Sequence, residues 1–254
     1  MFILNRAIPF IGPFLIWLIW EVFFTKPKSI LIFGLIILAM VFLSFWQLLQ
    51  RKFSKEFWQF FGLPFLFIFS AFLFSILSLP AGLSRHIFAL AIAFLFYLIL
   101  ESVFNFLYRP NLYQTHSIET FFSHLSLLIL FFIASSFYNL IFFLNFPFWL
   151  FLIFFLLVIL FLTFYFFWVN KILTKENILY ILVITLILTE FFWAISFLPT
   201  NFYVNSLILT LIYYLMIVLS KHCILKILNK KVIRQYLIIT GLALLLILLT
   251  AQWR

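Results

Sequence analysis

Two acidic residues, Glu101 and Glu190, are the side chains of this sequence whose type and position could do chemistry. Each stands inside a long apolar run, nine residues before a proline, Pro110 or Pro199, that we expect to end its helix. At 1.5 Å per residue this spacing places each carboxyl roughly 13 Å from a helix end, near the middle of a bilayer. A carboxyl at that depth is expected to be protonated, paired or turned toward an internal cavity. Such groups can bind a proton, a cation or a polar group of a solute.

Polar and amphipathic side chains accompany both acids at the three- and four-residue spacing of one helix face. Stripes of this kind on otherwise apolar helices are expected to turn inward, where hydrogen-bonding partners exist. We therefore predict a substrate- or proton-binding site to which both helices contribute. Its candidate residues are Tyr97, Glu101, Asn105, Thr189, Glu190 and Trp193, and the same faces are extended by Tyr108, Thr185 and Ser196.

A third cluster opens the fifth apolar run, in the stretch YQTHSIETFFSH at 113–124. Several side chains of this stretch fall within one broad arc of a helix, which suits a proton relay or a partial metal site. They are His116, Glu119, Thr120, Ser123 and His124. Helix capping explains much of the cluster, with Thr115 or Ser117 as the N-cap and Glu119 near the positive end of the helix dipole. We favour capping and predict no metal site, which leaves His124 as the member of the cluster that is least explained.

The two acid-bearing segments resemble each other. They read LILESVFNFLYRPNLY at 98–113 and LILTEFFWAISFLPTNFY at 186–203. Three predicted spans separate them, so the two segments would run in opposite directions through the membrane. Inverted repeats are a known plan of secondary transporters, with the site at mid-membrane between the repeats. In a chain so rich in Leu, Ile and Phe the likeness could also be chance, and both interpretations stay open.

The elements that hold these residues follow from composition. The 254 residues are 68% hydrophobic and 9% charged, whereas an ordinary soluble domain is about half apolar and a quarter charged. We predict an all-α, polytopic transmembrane helix bundle that forms a single domain over 1–254. The weakest boundary lies at Asn145 and Pro147, where proline disfavours helix in the preceding residue. The nine predicted spans are 7–24, 29–50, 57–79, 85–108, 117–143, 146–169, 177–198, 202–220 and 232–251.

The basic residues predict the orientation of the bundle. The chain has 16 Lys and Arg against 6 acidic residues, a net charge of +10. With nine spans, 12 of the basic residues fall on one side of the membrane and 4 on the other, and the richer side is expected to be cytoplasmic. We predict a multi-pass protein of the plasma (inner) membrane with a cytoplasmic N-terminus and anionic lipid headgroups as its neighbours. The basic stretch 220–235 is interpreted as a cytoplasmic loop in preference to an amphipathic helix on the membrane surface.

Motifs that the sequence lacks narrow the function. It has no Walker A sequence, no Asp-rich motif for magnesium-diphosphate chemistry and no nucleophile motif. We predict no cofactor and no nucleic-acid partner. An enzyme is less favoured than a non-enzyme, and the enzyme considered is a membrane-embedded one that acts on lipid through His124 and Glu119. The first hypothesis is a secondary transporter or permease for a small solute or a proton-coupled substrate. The alternative is a non-catalytic membrane scaffold or assembly partner of another membrane protein.

The stretch TEFFWAISFLPTNF at 189–202, together with the nine-span pattern, resembles uncharacterised multi-span membrane proteins of AT-rich bacterial genomes. The resemblance implies a polytopic membrane protein and carries no known activity. It therefore adds to the prediction of the fold and leaves the two function classes as they stand.

Overall fold

The protein is described from a computed structural model, which covers residues 2–26, 29–50, 55–109, 117–144 and 147–251. Over these ranges the chain forms α-helices joined by short loops, and each helix is long and apolar enough to cross a membrane. The prediction of an all-α chain with about nine spans is confirmed. The helices are α1 (Phe2–Thr25), α2 (Ile30–Leu48), α3 (Lys55–Leu77), α4 (Leu83–Tyr108), α5 (Ser117–Leu144), α6 (Phe148–Val169), α7 (Ile178–Ile195), α8 (Phe202–Ile224) and α9 (Lys230–Thr250).

The predicted break between the fifth and sixth spans is confirmed. Helix α5 ends at Leu144, and α6 begins at Phe148, directly after Pro147. Pro147 has the fixed φ of proline, −61°, in an extended conformation that suits the residue before a helix. Asn145, the other residue of the predicted turn, lies outside the described residues.

Three helix ends differ from their predicted positions by several residues. Helix α1 begins at Phe2 instead of residue 7, α7 ends at Ile195 instead of residue 198, and α8 runs to Ile224 instead of residue 220. Hydropathy places the start of α1 too late because it assigns Arg6 to a loop, whereas Arg6 lies inside the helix. The stretch 220–235 is divided between the end of α8, a short loop and the start of α9, so the alternative of one surface helix there is wrong.

The chain divides into two compact units, Met1–Leu125 and Ser126–Arg254, and α5 contributes to both. In the first unit α1 packs against α2 and α4, and α3 packs against the same two helices. Gly12 permits the close approach of α1, because a Cβ atom there would lie 3.0 Å from Ser44 Oγ on α2 and 3.4 Å from a Leu100 methyl on α4. The prediction of a single domain stays a prediction.

In the second unit α7 packs between α6 and α8, and α9 packs against α8. An aromatic cluster centred on Phe192 ties α7 to its neighbours, with ring centroids 4.7 Å from Tyr138 on α5 and 4.2 Å from Phe155 on α6. The Tyr138 hydroxyl also donates to the Phe192 carbonyl at 2.9 Å. Helix α9 is the most peripheral span, with only 6% of its apolar window buried.

Candidate functional site

Glu101 is held by an arginine from a distant part of the chain. Arg6 Nη1 on α1 lies 2.6 Å from Glu101 Oε1 and 2.7 Å from Oε2 on α4. The side chains are 33% and 20% exposed, respectively, so both are largely removed from solvent. An arginine so close compensates the carboxylate within an apolar span, where an isolated charge would be costly.

Two aromatic rings and an amide complete the surroundings of the Arg6–Glu101 pair. The Arg6 guanidinium carbon lies 5.4 Å from the ring centroid of Phe10 and 5.1 Å from that of Phe104, within cation–π range. Asn105 Nδ2 lies 3.5 Å from Glu101 Oε1, at the limit of a hydrogen bond. The charge on Arg6 is therefore stabilised by one carboxylate and two ring faces.

A second polar connection runs beside the first and joins three helices. Asn5 Nδ2 on α1 donates to the Tyr108 hydroxyl at 2.7 Å, and that hydroxyl donates to the Leu48 carbonyl at the end of α2, at 2.8 Å. This bond satisfies a carbonyl near a helix C-terminus, where no intrahelical partner exists. Asn5, Arg6, Glu101, Asn105 and Tyr108 are called the α1–α4 polar cluster below.

Glu101 lies nearer the end of its helix than predicted. Glu101 stands seven residues before Tyr108, the last residue of α4, and Arg6 stands four residues after Phe2, the first of α1. These offsets correspond to about 10 Å and about 6 Å along the helix axes. The expected mid-bilayer position came from taking Pro110 as the helix end, and Pro110 lies outside the described residues.

Tyr97 faces an apolar groove beside the cluster. Its half-buried ring lies 5.2 Å from Phe10 and 6.3 Å from Phe94. The groove has a volume of about 570 Å³ and runs between α1 and α4, with Trp17 and Leu90 among its lining residues. Its walls are almost wholly hydrocarbon and aromatic, which suits lipid chains better than a polar solute.

Glu190 has the opposite environment to Glu101. It is exposed on the surface of α7, and it forms no hydrogen bond or ion pair with any residue that the structure describes. It stands five residues before Ile195, the last residue of α7, which is about 7.5 Å along the axis. The acid thus faces outward from its unit, within the apolar span Ile178–Ile195.

The polar stripe of α7 does not turn inward as a whole, so that expectation is wrong. Thr185 and Thr189 are buried, and their hydroxyls donate to the carbonyls of Ile181 at 2.7 Å and Thr185 at 2.8 Å in their own helix. Trp193 is 49% exposed and lies on the outer side with Glu190. Threonine satisfies its hydroxyl within the helix backbone, so it is buried without a partner on another helix.

The two segments that resemble each other therefore place their acids differently, one in a pair between helices and one on an outer face. An inverted repeat with a shared site predicts equivalent surroundings for the two carboxyls. The repeat and the joint role of Glu101 and Glu190 remain predictions, and the difference in burial favours chance as the origin of the likeness.

The cluster at the start of α5 lies partly outside the described residues, because these leave out 110–116, which include Thr115 and His116. Ser117 is itself helical, so it is the first residue of α5 and not its N-cap. His124 is exposed, with Nδ1 2.7 Å from the Thr120 carbonyl, and Glu119 accepts the Ser123 hydroxyl at its carbonyl at 2.7 Å. No group of three His, Cys, Asp or Glu that could hold a metal ion occurs among the described residues.

Sequence reasoning missed the partners of the acids. The distribution of basic residues gives Arg6 only the role of a topology charge, and no pattern singles out Asn5. Glu21 Oε2 on α1 lies 2.5 Å from Nδ1 of His86 near the start of α4. A counter-charge for Arg6 could have been predicted from the sequence. A basic residue next to an apolar run needs one if the membrane helix starts before that residue.

No curated protein and no solved structure matches this chain. A family model described as "Protein of unknown function (DUF5656)" matches residues 28–250, which takes in helices α2 to α9. The match covers most of the chain, and together with the membrane-length apolar helices of the described residues it identifies an integral membrane protein that belongs to the DUF5656 family of proteins of unknown function.

Proposed function

We propose that the chain is a non-catalytic membrane protein that assembles with another membrane protein through the outer face of α7. The observation that carries the proposal is the exposure of Glu190. Of the acidic side chains that the structure describes, Glu190 alone is both helical and exposed. A carboxyl that faces acyl chains is costly by about 2.5–3.5 kcal/mol at the centre of a helix. A partner helix that supplies a donor removes most of that cost.

The surroundings of Glu190 support a helical partner. Exposed residues recur along α7 in alternating steps of four and three residues, at Leu179, Val183, Leu186, Glu190 and Trp193. This is the spacing at which a second helix packs knobs into holes, and one polar residue within such a seam sets the register of the pair. We infer that the partner is a transmembrane helix with a basic or amide side chain at the depth of Glu190.

In this proposal the α1–α4 polar cluster has a structural role, because it holds the helices of the first unit together. Its bonds join α1, α2 and α4, as interhelical hydrogen bonds do in membrane bundles. Glu101 is paired with Arg6 in the arrangement described. The cluster therefore stabilises the unit, and α7 provides the contact surface.

Site-specific photocrosslinking tests the proposal. A photoreactive residue replaces Leu186, which is 56% exposed and one turn from Glu190, in the full-length protein in native membranes. We expect an intermolecular adduct that maps by mass spectrometry to a transmembrane segment with Lys, Arg, His, Asn or Gln within one turn of the crosslink. The adduct should disappear with Glu190→Leu and persist with Glu190→Gln, because an amide still forms the hydrogen bond.

The matched control places the photoreactive residue at Leu31 on α2, which is 82% exposed and has no acid on its face. There we expect lipid adducts only. Adducts of the Leu186 probe that map only to lipid or to residues of the same chain would overturn the proposal, as would an intermolecular adduct unaffected by Glu190→Leu.

Secondary transport is the second candidate, and the partial exposure of the Arg6–Glu101 pair favours it. A carboxylate that is 20% exposed beside an arginine that is 33% exposed can exchange partners with a solute anion or cation. An uptake screen of metabolites in proteoliposomes at two pH values tests it. Under this candidate Glu101→Gln and Glu190→Gln each abolish pH-dependent uptake of one solute, whereas under assembly neither variant changes it.

A further inference from the structure

A basic groove opens at the start of α9. Lys230, Ile233, Arg234, Leu237 and Ile238 line it, and its volume is about 560 Å³. These residues recur at three- and four-residue steps, so they form one stripe of the helix with cations at its start and apolar side chains further along.

The two cations of the groove are available to a ligand. Lys230 and Arg234 are exposed, one helical turn apart, and neither forms an ion pair or hydrogen bond with a residue that the structure describes. Neighbouring Lys231 and Lys226 are exposed as well, and no acidic residue occurs anywhere between Glu190 and the end of the sequence. The local charge is therefore positive and uncompensated.

The apolar part of the groove continues along α9. Leu237 is 49% exposed and Ile238 is 48% exposed, and beyond them Leu242 and Leu245 are 58% and 52% exposed on the same helix. A soluble anion would gain nothing from these side chains. A molecule with an anionic head and a hydrocarbon tail would contact both parts of the stripe at once.

We propose that this groove is a binding site for one acidic glycerophospholipid. Its phosphate lies between Lys230 and Arg234, and one acyl chain follows Leu237 and Ile238 along α9. Arginine favours phosphate because its planar fork can donate two parallel hydrogen bonds, and lysine adds a point charge. The loop before α9 is on the side that the distribution of basic residues predicts to be cytoplasmic, where anionic lipids attract such clusters. This site is on a different helix from the α7 contact surface and does not depend on it.

Native mass spectrometry of the full-length protein in detergent micelles tests the proposal. The protein is titrated with phosphatidylglycerol and, separately, with phosphatidylcholine. We expect one tight phosphatidylglycerol site and no equivalent phosphatidylcholine site. The double variant Lys230→Gln/Arg234→Gln should weaken phosphatidylglycerol binding roughly thirty-fold, from the two interfacial cations removed. Each single variant should weaken phosphatidylglycerol binding roughly five-fold. The single variants therefore test the site if the double variant does not fold.

Two controls separate a site from general charge. Lys230→Arg/Arg234→Lys keeps both cations and should bind phosphatidylglycerol within a few-fold of the unmodified protein. Lys171→Gln/Lys175→Gln removes two exposed cations from the loop between α6 and α7 and should leave binding unchanged. Equal losses in this second control and in the α9 variants would overturn the proposal. Competition by inorganic phosphate at the concentration at which phosphatidylglycerol binds would also overturn it, since the ligand would then be a free anion.

Discussion

Arg6 Nη1 lies within 2.7 Å of both carboxylate oxygens of Glu101, and this one ion pair joins the first helix of the chain to the fourth. The two residues are 95 positions apart in the sequence. Each would be costly alone inside a membrane, and together they neutralise each other while two phenylalanine rings cover the guanidinium. The pair accounts for Glu101 without a ligand. Glu190 has no such partner among the described residues, so it is the acid for which we propose a partner outside the chain.

The Arg6–Glu101 pair is expected to stabilise the first unit. Glu101→Gln should lower the free energy of unfolding by about 1–3 kcal/mol, because the charge on Arg6 would lose its counter-charge. This range is below the value for a fully buried pair, since water still reaches part of both side chains. The measurement is unfolding in detergent followed by circular dichroism.

A double-mutant cycle shows whether the two residues act together. Arg6→Gln/Glu101→Gln should cost clearly less than the sum of the two single changes, because it leaves no unpaired charge. Glu176→Gln, in an exposed loop, is the control and should have no measurable effect. Strict additivity of the two single changes would contradict the ion pair.

Gly12 is expected to be required for the close packing of α1. Gly12→Val should destabilise the protein by roughly 1–3 kcal/mol, because its side chain would enter the space held by Ser44 and Leu100. Gly241 on α9 is the matched control, since a Cβ atom there has nothing within 4 Å. Gly241→Val should cause no loss, and equal losses at both glycines, measured by thermal unfolding, would disprove the packing explanation.

Tyr138 joins α5 to α7 by a hydrogen bond and a ring stack, and the two contributions can be separated. Tyr138→Phe should cost only about 0.6 kcal/mol, the average for interhelical hydrogen bonds in a membrane. The Phe192 carbonyl also keeps its helical bond from the Ser196 amide, at 3.3 Å. Tyr138→Leu should cost roughly 1–2 kcal/mol more, because it also removes the stack on Phe192. Thermal unfolding of both variants measures the difference, and equal losses would assign the whole effect to the hydroxyl.

The predicted orientation can be tested with single cysteines. Cys223 is the sole cysteine of the chain, so Cys223→Ser provides a background without thiols. In this background Ala81→Cys, in the exposed turn between α3 and α4, should react with a membrane-impermeant maleimide on intact cells. Lys175→Cys, between α6 and α7, should react only after permeabilisation. The reverse pattern would place the N-terminus outside, and labelling of both on intact cells would contradict an odd number of crossings between these loops.

The number and approximate bounds of the helices could be predicted from the sequence because their causes are local. An apolar run of about 20 residues forms a helix in a membrane whatever its neighbours are, since every backbone group must be paired within the segment. Errors arose where the local signal misleads. Arg6 moved the predicted start of α1, and the apolar residues Phe197 and Leu198 extended α7 beyond Ile195.

The environment of each acid could not be predicted, because Glu101 and Glu190 have nearly the same local pattern. Both follow the tripeptide Leu-Ile-Leu closely and precede a proline by nine residues. The difference between them comes from the helices packed alongside. Helix α1 brings a guanidinium to Glu101, whereas the outer face of α7 carries Glu190 among exposed apolar side chains. Composition and hydropathy determined that this chain is a set of membrane helices. Only the packing of those helices decided which carboxylate is neutralised within the protein. The energy of a charge in a low-dielectric medium depends on the nearest counter-charge and not on the residues beside it in sequence.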